Sequence, residues 1–440
     1  MDEETLARLR RLGVVKGARQ LGRPRPLNSP PPAGDEPPTY IRPGNNTPSD
    51  PAGDDPPQPL PALLPGGQMV DTPLGQCFIL DTVYPLAHRH GQDRLEDLLQ
   101  YTPAGAVPLT GDPRLAGLDF RDFLFLDTET TGLGGAGALA FMVGTAFFEG
   151  DALVVRQYFL PDLADEPALL HLLEALLAGR AGLITFNGRA FDLPLLDNRY
   201  LMNRSFTDLL ARPHIDLLPP ARRIWRNRLT SCALGSLEER MLGVQRTQAD
   251  VPGWLIPSLY NRYLADGDAR ELVRVFYHNE IDMLSMVTLL ARVMRQFHRP
   301  DPSDHPLDLL GVGKWQADLG LLAAAEQNLC RAAVPEMPTD AYRQALHQLG
   351  QLLKRAGRWE EAVQVWQQIA STSFEDISAH VALAKYYEWQ AQALAPAMAW
   401  TNQALQLVAF WPDPGRAALA RQELRHRLDR LARKIATQLS

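Results

Sequence analysis

The sequence predicts a mixed α/β sheet with flanking helices, followed by an all-α domain of helical repeats. Three observations predict it. Between residues 122 and 159, apolar runs of strand length follow one another, two of them joined by Glu149-Gly150-Asp151, a hairpin signal. Helix-like and strand-like stretches then alternate as far as residue 297, the order of a mixed sheet with helices packed on it. From Leu309 the chain becomes Ala-rich and helical. There Leu346 and His380 stand 34 apart, as do Ala370 and Ala404, and Ala362 and Ala397 stand 35 apart. That is the period of a two-helix repeat.

A chain of 440 residues has room for two or three domains. With 45% hydrophobic residues and no apolar run approaching the roughly 18 residues of a membrane span, the sequence reads as a packed protein outside the membrane. The N-terminal Asp2, Glu3 and Glu4 precede no apolar segment of the kind a signal peptide needs. Cys77, Cys232 and Cys330 are scattered and odd in number. They suit neither a disulfide framework nor a Cys-based zinc site, and point to a reducing, cytoplasmic home. A net charge of −7 excludes a protein that simply coats nucleic acid, while leaving room for a local basic groove.

Residues 1–68 read as a basic N-terminal segment and a disordered tether. Arg8, Arg10, Arg11, Lys16 and Arg19 accompany Leu6, Leu9 and Leu12 on a short amphipathic helix, and 15 prolines follow between Pro24 and Pro65. Order is expected from about Met69. Cys77–Leu80 alternates like a strand, and His88, Arg89 and His90 have no third ligand nearby to make them a metal site. In the domain expected over 69–297, Ala138–Phe148 and Ala152–Phe159 are strands. Asp165 is placed to cap a helix over 166–178, whose leucines form one stripe. Gly182–Phe186 is a strand, 191–203 a helix, and His214–Leu217 an apolar run broken by His and Asp. Residues 212–246 hold seven Lys/Arg against three Asp/Glu. Arg222, Arg223, Arg226 and Arg228 surround Trp225 there, a pattern that suits a phosphate backbone beside a base or a sugar, or else a solvated helix face. Glu271–Arg292 is a long helix carrying His278 and Asp282 among apolar positions. Residues 298–440 carry two fair tetratricopeptide-like repeats behind a degenerate one, then a capping helix over Arg416–Thr437, and their concave surface suits protein contact.

Four acidic residues stand out. Asp127 and Glu129 lie two apart at the end of the strand FLFLDTET, so they project from one face. Asp192 follows a strand in FNGRAFD, and Asp282 sits in YHNEID on the last helix of the domain. Buried carboxylates that close together repel one another unless cations separate them. Converging at strand ends, the four could hold two divalent ions, Mg²⁺ or Mn²⁺, about 4 Å apart.

These motifs together resemble the ribonuclease-H-like 3′–5′ exonucleases built on four acidic residues, the DEDD group. More closely, they resemble the bacterial subfamily that carries C-terminal tetratricopeptide repeats, the mitomycin-repair exonuclease type. The resemblance rests on FLFLDTETTGL, the Phe141–Gly144 segment, ITFNGRAFDLPLLDNR, HIDLLPPARRIWRNRLTSCALGSLEE and YHNEIDMLSM, with TPLG and YPLAHRHG ahead of them. It implies a ribonuclease-H-like fold in which Asp127, Glu129, Asp192 and Asp282 bind the metal ions. It also implies a general base just before Asp282, where one branch of the group has histidine at minus five and another tyrosine at minus four. Here Tyr277 is at minus five and His278 at minus four. His278 shares a helix face with Asp282 and has a suitable pKa, so it is the expected base, with Tyr277 the alternative. Leu133 and Phe191 fall where such enzymes place apolar side chains against the terminal nucleotides. Asn187 would contact the sugar or hold the turn, and Asp216 would support the site or touch substrate. LGGAG is not a phosphate-binding P-loop, because no Gly-Lys-Ser/Thr follows.

The expected activity is metal-dependent hydrolysis of DNA from 3′ ends, single-stranded or duplex, releasing nucleoside 5′-monophosphates in DNA repair. A helicase or other repair protein is the partner implied for the repeats. The alternatives are an exoribonuclease or structure-specific endonuclease with the same site, or a non-catalytic nucleic-acid-binding scaffold.

Overall fold

The structure, a computed structural model, describes residues 56–440 except 133–136, 248, 302, 373–375 and 440. The expected basic helix and the tether as far as residue 55 therefore lie outside the described residues. Ordered packing begins before Met69. A helical turn at Leu60–Leu63 sinks Leu60 and Leu64 into the same apolar cluster as Phe78, so the last Pro-rich residues belong to the core.

Seven strands form one mixed sheet: β1 (Gln68–Thr72), β2 (Gly75–Pro85), β3 (Phe123–Thr130), β4 (Ala140–Glu149), β5 (Ala152–Phe159), β6 (Gly182–Thr185) and β7 (His214–Asp216). The spatial order is β1-β2-β5-β4-β3-β6-β7. Pairing is antiparallel from β1 through β3 and parallel from β3 to β6 and β7. The two-residue connection at Gly150-Asp151 leaves Glu149 opposite Ala152, with Gly150 at φ +55. That backbone conformation favours glycine.

Among the described residues, five helices of eight residues or more flank the sheet: α1 (Glu166–Ala178), α2 (Asp192–Met202), α3 (Leu218–Trp225), α4 (Ile256–Asp266) and α5 (Leu272–His298). The central strand is apolar on both faces because both are covered. Leu124 and Leu126 join α1, α2 and α4 in one cluster; Phe123 and Phe125 join α3 and α5 in the other. By the same alternation, Asp127 and Glu129 emerge on the α5 side. Asp165 does not cap α1. Its Oδ1 accepts from Gln76 N at 3.0 Å, so it ties β2 to the start of that helix.

Behind α5 every regular element among the described residues is a helix: α6 (Pro306–Asp318), α7 (Leu322–Ala332), α8 (Thr339–Arg355), α9 (Trp359–Thr372), α10 (Ser378–Trp389), α11 (Leu394–Val408) and α12 (Pro414–Leu439). These helices form a bundle resembling tetratricopeptide-like repeats, with buried Ala345, Ala362, Ala379 and Ala397 letting neighbours approach closely. The buried carboxylate of Glu388 accepts from Arg427, Arg430 and Lys434 and fastens α12 to α10. No helix among the described residues is long and apolar enough to cross a membrane.

The bundle meets the sheet domain where α6 crosses α3. Arg228 donates to the buried Asp308 at 2.8 Å, while Arg223 faces Asp318 at 3.6 Å and lies over the Trp315 ring. A Cβ on Gly311 would lie 2.4 Å from Ile224 O and 2.6 Å from Arg223 O. Backbone cannot yield as a side chain can. Gly311→Ala should therefore lower unfolding free energy by about 1–3 kcal/mol, read as a lower urea midpoint. An unchanged midpoint would contradict this packing.

Candidate metal and nucleic-acid site

At the end of β3 the carboxylates come together from three elements. Asp127 and Glu129 arrive on the strand, Asp192 is the first residue of α2, and Asp282 lies in the middle of α5. Asp192 is held in place by the strand itself. Its Oδ1 accepts from Thr128 N at 3.1 Å and from Thr128 Oγ1 at 2.5 Å. Asp127 Oδ2 accepts from Asn279 Nδ2 at 3.3 Å, and Asn279 is fixed in turn by Gln157 Nε2 at 3.0 Å. Asp127 pairs in register with Gly144, and a Cβ there would come within 2.0 Å of Asn279 Oδ1. Gly144 thus lets α5 approach the sheet closely enough to deliver Asp282.

His278 stands one turn before Asp282, with Nε2 3.5 Å from Asp282 Oδ2. Its other nitrogen, Nδ1, is 2.8 Å from Asp250 Oδ1 and 3.0 Å from Arg246 Nη1. Arg246 also reaches Asp282 Oδ1 and holds both oxygens of the buried Glu238 at 2.7 Å. Glu238, Arg246, Asp250 and Asn279 carry no local sequence signal that marks them for this site. Arg246 was visible only as one of seven cations in a basic stretch, since its partners come from separate segments.

Burial, reinforced by Asp192, Asp282 and Glu129, raises Asp127 well above the carboxylate range. Burial likewise raises Glu129 to about 7, with His278 opposing it. Asp192 and Asp282 are also raised by burial; Thr128 hydrogen bonds offset it for the first, and Arg246 and His278 for the second. Burial disfavours a charged His278, but Asp282 and Glu129 outweigh it and lift the histidine above its usual value. Glu129, His278 and Asp282 each offer one donor atom within 4.8 Å of the others. Carboxylate oxygens beside an imidazole suit a divalent ion, and the crowding of like charge shows why one would be held.

A cavity of about 790 Å³ opens beside this cluster, lined by Asp127, Asp282, Asn187, Arg222 and Arg226. The expected Arg-Trp patch therefore divides. Arg222 and Arg226 face the cavity, whereas Arg223 and Arg228 serve the α3–α6 seam. Trp225 is fully buried and packs in the core, so it is not placed to touch a substrate. Asp216 also turns inward. Its carboxylate accepts from the amides of Asn187, Arg189 and Leu218 at 2.8–3.2 Å and shapes the turn ahead of Asp192. Asn187 takes a left-handed φ of 67 in that turn, and Phe191, beside Asp192, is 59% exposed. The hydroxyl of Tyr277 accepts from Thr247 N at 3.0 Å. Leu133 lies outside the described residues. His90 Nε2 is paired with Ser285 Oγ at 2.8 Å, a buried structural contact.

Residues 124–294 match a model of the RNase_H superfamily (RNase_H_2), so this region is an RNase_H-like domain. The chain is 30% identical over 377 residues to "Uncharacterized protein YprB" of Bacillus subtilis (strain 168), covering 82% of this chain and 87% of that protein. It belongs to the same family as that protein.

The charge balance fixes a pH dependence. Glu129 has a folded pKa of about 7 against an ordinary 4.5, so its contribution to stability is fully present below 4.5 and lost as pH rises through 7. The raised His278 acts in the same direction. The urea midpoint of metal-free wild type minus that of Glu129→Gln should therefore fall as pH rises across that window, a difference in which the opposite pull of His90 and His214, which burial lowers to about 4, cancels. A difference that rises with pH would contradict this charge balance.

Proposed function

We propose that this chain is a metal-dependent 3′–5′ exonuclease that hydrolyses DNA phosphodiester bonds and releases nucleoside 5′-monophosphates, in DNA repair. One observation carries the reading: Asp127 and Asp282 line the same cavity as Arg222 and Arg226, so carboxylates for cations stand beside cations for phosphate. The RNase_H-like domain and the cluster's capacity to chelate a divalent ion support it.

In this reading Asp127, Glu129, Asp192 and Asp282 would hold two Mg²⁺ or Mn²⁺ ions. Such ions, when bound, lower the pKa of a water and stabilise a leaving oxygen. Arg222 and Arg226 bind the phosphates behind the scissile bond. Phe191 and Leu133 rest against the terminal nucleotides, with Asn187 at the sugar. His278 accepts the proton of the attacking water at Nε2, while Asp250, hydrogen-bonded to Nδ1, keeps Nε2 directed at the carboxylates. Tyr277 is the alternative base, although its hydroxyl already accepts from the Thr247 amide. The water oxygen bonds to phosphorus as the P–O bond to the 3′ oxygen breaks; the 3′ oxygen takes up a proton, balancing the one His278 accepts, so the products are a nucleoside 5′-monophosphate and a shortened strand with a 3′ hydroxyl.

Residues 69–297 would be the catalytic domain, 1–68 a basic segment and tether, and 298–440 a platform for a helicase or other repair protein in the cytoplasm. A concave cavity of about 1060 Å³ on the repeats, lined by Trp359, Tyr386, Trp389 and Lys385, suits protein contact.

The test is digestion of end-labelled single-stranded, duplex and 3′-overhang DNA, and matching RNA, with Mg²⁺ or Mn²⁺. Mononucleotides should appear from DNA 3′ ends; internal cuts, or RNA alone as substrate, would replace the reading. His278→Ala should slow the reaction by about 10²–10⁴-fold, Asp127→Asn by at least as much, and Tyr277→Phe little. Separately, Arg222→Ala combined with Arg226→Ala should raise KM and weaken the salt dependence of DNA binding while kcat changes little. An unchanged salt slope would remove these arginines from the phosphate path.

A further inference from the structure

Arg246 is gripped on one side and aimed at the carboxylate cluster on the other. Nε and Nη2 hold the two oxygens of Glu238 at 2.7 Å each, and Glu238 is 1% exposed. Nη2 also donates to Asp282 Oδ1, while Nη1 lies 3.0 Å from His278 Nδ1 and 3.4 Å from Asp250 Oδ1. Withdrawing the guanidinium would leave Glu238 as a buried charge with its partner gone, a heavy penalty. The fork therefore stays where it is. Asp282 then has unequal oxygens. Oδ1 is engaged by the guanidinium, and Oδ2 stands toward the cluster, 3.5 Å from His278 Nε2.

This inequality bears on which ion the aspartate can serve. Ca²⁺ gathers about six to eight oxygens in flexible geometry and often takes both oxygens of a carboxylate. Mg²⁺ is smaller, requires near-octahedral geometry and keeps several waters. A carboxylate with one oxygen already engaged serves the second kind of ion well and the first kind poorly.

We propose that Arg246 is a positioning residue that sets metal selectivity: by holding Asp282 Oδ1 it limits that aspartate to one metal-facing oxygen and turns the site against Ca²⁺. The inference rests on the reading of the carboxylate cluster as a metal centre. Arg246 acts through Asp282 and needs no contact with the nucleic acid. Its positive charge alone would weaken binding of all divalent ions alike, because Coulomb repulsion depends on charge and distance rather than on coordination number. The ratio of Ca²⁺ to Mn²⁺ affinity therefore separates the geometry of the fork from its charge. Lysine separates them too, since it keeps the charge but has no planar fork to bridge Glu238 and Asp282.

The experiment is calorimetric titration of the full, metal-free chain with CaCl₂ and with MnCl₂, in wild type, Arg246→Lys and Arg246→Gln, with circular dichroism to check folding. Both variants should shift the affinity ratio toward Ca²⁺ by about tenfold or more, with Gln also tightening both ions and Lys leaving Mn²⁺ near wild type. An unchanged ratio in both, or a shift in Gln alone, would overturn the proposal, the second because Lys lacks the planar fork as well and must then shift with it. Should both variants unfold, the wild type decides: Ca²⁺ bound as tightly as Mn²⁺ overturns the proposal, and Ca²⁺ markedly weaker supports it. Wild-type protein that binds neither ion overturns the metal-centre reading itself, and the proposal with it.

Discussion

Like charges crowded at the end of a buried strand govern the rest of this structure. Asp127, Glu129, Asp192 and Asp282 would repel one another in a low-dielectric setting, and three of them have a hydrogen-bond donor set beside them. Thr128 donates twice to Asp192, Asn279 donates to Asp127, and Arg246 donates to Asp282. None of these donors is free to wander. Thr128 is part of the strand, Asn279 is held by Gln157, and Arg246 is anchored on Glu238. The carboxyls that burial still raises leave the compensation incomplete, as suits a cluster that could chelate a divalent ion.

The close approach of α5 follows from the same requirement. Asp282, His278 and Asn279 all ride on this helix, and they reach the strand because Gly144 presents no side chain against Asn279. A small residue on the sheet therefore decides whether the fourth carboxylate arrives. The same device recurs at Gly311, where α6 lies on the backbone of α3. There the neighbouring arginines divide their labour. Arg223 and Arg228 hold the helical bundle, and Arg222 and Arg226 remain for the cavity.

Much of the architecture was legible because local pattern and tertiary role agree. The leucine stripe of 166–178 became α1 with the same bounds, and the spacing of Ala362 and Ala397 reported true contact positions between repeat helices. The alternation of FLFLDTET put both carboxylates on one face, since a strand has only two. Where one residue type serves two purposes, the pattern misled. Trp225 among arginines resembles a base-stacking platform, yet the helix turns it into the core. Asp165 before a leucine-rich helix resembles a cap, yet its carboxylate reaches a strand amide instead. Leu64, within the Pro-rich stretch, resembles tether and is core.

The residue order thus contained the sheet and repeat classes, the four carboxylates, and the His278–Asp282 relation, all of which depend on spacings of a few residues along one helix or strand. Folding in three dimensions assigned the roles that depend on distance between segments far apart in the chain. It set Arg246 against Asp282 from 36 residues away, Asn279 against Asp127 from 152 residues away, and Arg228 against Asp308 from 80. Local periodicity carries no record of such pairings, because they are fixed by how sheet, α5 and α6 pack, and packing is a property of the whole chain.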